Sequence, residues 1–65
     1  MKITVNGDEC EISSYTLSGL LEELGYTTGR IATAVDGLFV PAGLRGDQCL
    51  GEGMRVEILS PMQGG

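Results

Sequence analysis

The chain has 65 residues, with 4 basic and 9 acidic side chains, a net charge of −5 and no histidine. Hydrophobic residues make up 42% and charged residues 20%, the balance of a globular domain, yet at this length roughly 60% of the unfolded surface is buried and a deep catalytic cavity is hard to support. The acidic balance excludes the basic footprint that nucleic acid or an anionic membrane requires, and Cys10 and Cys49, far apart and without histidine partners, argue against a zinc site or a disulfide framework.

Met1 to Val5 reads as a first strand, because Ile3 and Val5 alternate with Lys2 and Thr4. Asn6-Gly7 is a hairpin signal, since both residue types tolerate positive φ. Glu9 to Ile12 alternates again, which turns Cys10 and Ile12 inward and the two glutamates outward. Thr16 is placed to cap a helix with its hydroxyl. Leu17, Leu20, Leu21 and Leu24 follow the spacing of one apolar helix face, with Glu22 and Glu23 on the solvent side and Gly25 as the closing residue. Gly19 inside the helix costs roughly 1 kcal/mol relative to alanine, and close approach to the sheet is one reason to carry it.

A loop is expected from Tyr26 to Arg30 and a third strand from Ile31 to Val35. Asp36-Gly37 gives a second hairpin signal before Leu38-Phe39-Val40, and Pro41, lacking an N–H, ends that strand. Residues 42 to 50 read as irregular, with one helical turn near Leu44. After the Gly51-Glu52-Gly53 turn, a last strand turns Met54, Val56 and Ile58 inward and leaves Arg55, Glu57 and Leu59 outward. Each strand has one apolar face, so the expected architecture is α+β, a small mixed sheet packed on one helix. The domain is expected over 1–59, with 60–65 as a flexible tail.

The tail carries the chemical signal. Gly64-Gly65 packs nothing and has the largest backbone entropy, so a pair of glycines closing a strand and a short spacer calls for a reason. The reason is access: a terminal carboxylate becomes an acyl donor once activated as a mixed anhydride with AMP, and side chains would obstruct the channel leading to it. Residues 60–65 reach roughly 20 Å when extended, enough to pass from a docked body to a buried active site. The bland alternative is a disordered end with no role. Phe39, Leu59 and Met62 are candidates for an exposed apolar contact with a partner, while Phe39 reads equally well as a core residue. No acid–base or nucleophile constellation is present, so an enzyme is not expected. No basic-then-apolar leader and no apolar run near the roughly 20 residues of a membrane span occur, so a cytoplasmic protein is expected.

The runs AVDGLFVP, GEGMRVEIL and SPMQGG, with the early NG turn and TLSGLLEELG, resemble the ThiS family of sulfur carriers over essentially the whole chain. Family members typically carry Asn-Gly where this chain has Asp36-Gly37, and PAGLRGDQCLGEG departs from the usual charged segment. The resemblance implies a ubiquitin-like β-grasp fold and a role in thiamine thiazole synthesis. It implies that a ThiF-type adenylyltransferase uses ATP to adenylate Gly65, with Gly64 threading the channel. Sulfur from a cysteine desulfurase then gives a thiocarboxylate that a ThiG-type thiazole synthase consumes, and the carrier itself binds no cofactor or metal. The alternatives are a MoaD-like small subunit of molybdopterin synthase, a ubiquitin-like protein modifier, and a noncovalent binding module.

Overall fold

The structure is a computed structural model and describes residues 1–26 and 30–60. Its elements are β1 (Lys2–Val5), β2 (Asp8–Glu11), α1 (Leu17–Glu23), β3 (Ala32–Val35), β4 (Leu38–Val40), a 3₁₀ helix (Ala42–Asp47) and β5 (Arg55–Leu59). They form one five-stranded sheet in the order β2-β1-β5-β3-β4. The two hairpins are antiparallel, β5 lies between them, and β5 runs parallel to β1 and antiparallel to β3. This is the mixed sheet with one helix of the β-grasp fold.

Both hairpin turns follow from their residues. Asn6 and Asp36 take φ of 51° and 50°, and each is followed by a glycine at positive φ, the backbone of a type I′ turn. That turn matches the twist of the strands it joins, and asparagine, aspartate and glycine reach it at the least steric cost.

The helix begins where Thr16 Oγ1 accepts the Gly19 N–H at 3.1 Å. Its first N–H, from Leu17, donates to the Gln48 carbonyl, and Leu50 N–H donates to Tyr15 O, so the stretch after the 3₁₀ helix is tied to the helix entry. At the other end Gly25, at φ 92°, donates to Glu22 O and Tyr26 N–H donates to Leu21 O. Those two bonds are a Schellman closure. The chain therefore turns before Leu24 can join the apolar face: Leu24 caps the helix and is 38% exposed, contrary to the periodicity.

The core forms where Leu17, Leu20 and Leu21 meet Ile3, Val35, Val56 and Ile58 from the sheet, joined by Ile12, Val40 and Leu50. Met54 and Cys10 pack against its margin, so Cys10 is half-buried rather than central. Gly19 approaches the preceding loop instead of the sheet, because a Cβ there would lie 3.2 Å from both Ser14 Cβ and Thr16 Oγ1. The segment read as irregular with one turn is a longer 3₁₀ helix, and its Arg45 reaches back to the sheet. Arg45 Nε donates to Thr33 Oγ1 at 3.0 Å and Nη2 to the Ile31 carbonyl at 2.8 Å. Thr33 Oγ1 in turn donates to the Val40 carbonyl at 2.8 Å. A buried polar residue on the core face of β3 is thereby satisfied in full. Most of the loop expected over 26–30 lies outside the described residues.

Candidate functional site

The face of the sheet turned away from α1 carries the outward residues of β3, β4 and β5. On β3 these are Ala32 and Ala34, small enough to leave a floor rather than a ridge. Ala34 stands opposite Phe39 on one side and Glu57 on the other, and Ala32 stands opposite Leu59. Phe39 and Leu59 therefore rise on either side of two alanines, and with Asn6 and Glu57 at the rim they enclose a shallow concavity of about 410 Å³.

Phe39 is 68% exposed and Leu59 65% exposed. The core reading of Phe39 is overturned. β4 pairs so that Val40 and Leu38 take the core side, which sends Phe39 to the opposite face. Leu38 is itself 72% exposed, because β4 is the sheet's edge strand and its first residue overhangs the core. Phe39 and Leu59, left in water on the face turned away from α1 with charged Glu57 beside them, make an apolar patch of the kind that partners cover.

The patch adjoins the end of β5. Leu59 is the last residue of that strand, and Ser60 is exposed beside it. Met62, Gly64 and Gly65 lie outside the described residues. Of the candidate residues, the fold thus brings Phe39 and Leu59 together on one surface, at the root of the segment carrying the other three.

Chemistry elsewhere is sparse. Among the described residues no group of three or more histidine, cysteine, aspartate or glutamate side chains is arranged to hold a metal ion. No described helix is long and apolar enough to cross a membrane. Cys49 is exposed and unpaired with Cys10. Glu23 is held below the usual glutamate range, first by the Ser14 hydroxyl and then by the Ser13 N–H. It bridges the end of α1 to the loop that follows β2.

Sequence reasoning missed the side-chain bonds that join the hairpin turns to β5. Ile58 N–H donates to Asn6 Oδ1 at 2.8 Å, and Asn6 Nδ2 donates to Ile58 O at 3.1 Å. Arg55 N–H donates to Asp36 Oδ1 at 2.9 Å. The turn signal names the residue type, but nothing in the local sequence says which distant backbone group the side chain will meet.

A model of the ThiS family matches residues 3–65. Among solved structures, the thiamine biosynthesis protein ThiS from Geobacter metallireducens is similar, with a TM-score of 0.84 at 23% identity and coverage of 100% of both chains. Comparison with curated proteins returns no match.

Proposed function

The chain belongs to the ThiS family, and we propose that it is a sulfur carrier in thiamine biosynthesis whose working group is the carboxylate of Gly65. In this reading residues 1–59 are the docking body and residues 60–65 are the arm that enters the partner. A ThiF-type adenylyltransferase covers the Phe39–Leu59 face, with Met62 extending the contact. The Gly65 carboxylate attacks the α-phosphorus of ATP and pyrophosphate leaves. A persulfide sulfur, delivered from a cysteine desulfurase, then attacks the acyl carbon and expels AMP. Cleavage of the resulting disulfide by a thiol leaves the thiocarboxylate that a ThiG-type thiazole synthase consumes. ATP is the partner's substrate, and the carrier contributes no catalytic group of its own.

The observation that carries this reading is the position of the apolar patch. It lies at the exit of β5, so one docking event both covers Phe39 and Leu59 and aims residues 60–65 into the covering protein. A partner face remote from the chain's end would not do this. Side-chain-free Gly64 and Gly65 suit a narrow channel, and the body's net charge of −5 favours encounter with a basic partner surface.

Deletion of Gly64 and Gly65 tests the reading. The truncated chain is expected to fold as the intact one does and to bind the adenylyltransferase through the same face, yet to support no thiazole formation. Thiazole formation at the intact rate with the truncated chain would refute the assignment and favour a noncovalent module.

A further inference from the structure

Asn6 and Asp36 hold the same position in two hairpins, and both send their side chains to the strand lying between those hairpins, at opposite ends. Asp36 meets Arg55, where β5 begins. Asn6 meets Ile58, one residue before β5 ends. The two residue types fit their tasks. The Arg55 carbonyl is already taken by the Asp36 backbone N–H, so only the Arg55 N–H is left for the side chain, and a carboxylate accepts it. Ile58 presents a donor and an acceptor, which a carboxamide matches and a carboxylate does not.

The pairing explains why Ile58 needs this. The β1–β5 register ends at Val5 opposite Val56, and the last backbone bond between the two segments runs from Asn6 N–H to Val56 O at 2.9 Å. There the chain turns away into the hairpin. The Asn6 carboxamide stands where the next peptide group of a longer β1 would stand, and carries the ladder on to Ile58. On the opposite edge of β5, Leu59 lies in register with Ala32 of β3. The end of β5 is thus held from both sides, and the side facing β1 is held by one side chain.

From this geometry we infer that Asn6 is a positioning residue for the reacting carboxyl group: it fixes the point at which β5 gives way to the arm, in register with the docking face. The inference rests on the carrier function proposed above. With the clamp gone, the anchored part of the strand on its β1 side retreats toward Val56. The end of β5, then held by β3 alone, moves more freely, and the arm's terminal carboxylate spends less time in line with the α-phosphate of a bound ATP. Phe39 and Leu59 still dock, and Asn6 contributes only at the rim of that face, so the larger loss falls on turnover.

The test compares Asn6→Gly with Asp36→Gly. Both substitutions keep a residue that adopts positive φ in the turn, and each removes one side-chain clamp on β5. Asn6→Asp, which keeps the acceptor and lacks the donor, is a milder third variant. Two readouts are taken on the folded proteins: amide hydrogen exchange at Ile58 and Leu59, and kcat and KM for adenylation by the cognate adenylyltransferase. Asn6→Gly is expected to speed exchange at both amides and to lower kcat about tenfold, the scale of one or two lost hydrogen bonds, with a smaller rise in KM from the side chain lost at the rim of the docking face. Asp36→Gly is expected to do neither, and Asn6→Asp to fall between. Unchanged exchange in Asn6→Gly, unchanged kcat despite faster exchange, or equal loss of kcat in both glycine variants would overturn the positioning role. Failure of the wild-type chain to be adenylated would instead refute the carrier reading, and with it the role assigned to Asn6, even where the exchange data show the clamp itself.

Discussion

The Glu23 carboxylate, in the last turn of α1, receives the Ser14 hydroxyl at 2.8 Å and the Ser14 N–H at 3.0 Å on the same oxygen. Ser13 N–H donates to the same carboxylate, at 3.0 Å to its other oxygen. One ionised side chain thus holds the loop that leads from β2 into the helix, and these bonds favour its charged form.

The pH dependence follows from that arrangement. The pKa of Glu23 is lower in the folded chain than in the unfolded one, so its contribution is complete above the ordinary glutamate range and fades as pH falls through the folded value. Glu23→Gln is expected to lower Tm at neutral pH, and the gap between variant and wild type is expected to close in acid. Thermal melts across pH check this. A gap that stays constant with pH would mean that the carboxylate's charge is not what matters.

Thr33 offers a test inside the fold. Its hydroxyl links the Val40 carbonyl to Arg45 Nε, and the residue is 1% exposed. Thr33→Val keeps the shape and removes both bonds, leaving a β4 carbonyl and a guanidinium N–H short of a partner. The expected loss is about 1–3 kcal/mol in urea unfolding, the cost of unsatisfied buried polar groups. A neutral result would show that water or a rearranged Arg45 takes over.

Phe39 separates docking from stability. Because its ring is exposed, Phe39→Glu is expected to change unfolding stability by less than about 0.5 kcal/mol. The same change sets a charge in an apolar contact and is expected to raise KM for the adenylyltransferase about tenfold or more. This is the opposite signature to that of Asn6→Gly. Titration of the carrier into the adenylation assay, beside a denaturant melt, reads both. An unchanged KM would move the docking surface elsewhere.

Much of the fold was legible because it depends on local signals. The two turn dipeptides, the Thr16 cap, the Gly25 closure and the alternation in β1 and β5 each have a short-range physical cause, and each is present in the structure. Most of what could not be read locally concerns distant partners. Leu24 has helical spacing, but the Schellman closure takes it off the apolar face. Thr33 sits among alanines and β-branched residues in an unremarkable strand, and its value comes from Arg45, which lies on another element. Phe39 was ambiguous because hydrophobicity does not reveal which side of an edge strand faces the helix; the register opposite Ala34 decides it. Leu59 was placed correctly, since strict alternation along β5 suffices.

The carrier account depends most on the chemistry assigned to Gly65, and intact mass reads that chemistry directly. The chain is incubated with ATP, the cognate adenylyltransferase and a sulfide source, then fragmented to locate any change. The account predicts the mass gain of one oxygen-to-sulfur exchange, confined to Gly65. An unchanged mass beside an adenylyltransferase shown to be active, or sulfur located on Cys10 or Cys49 instead, would contradict it.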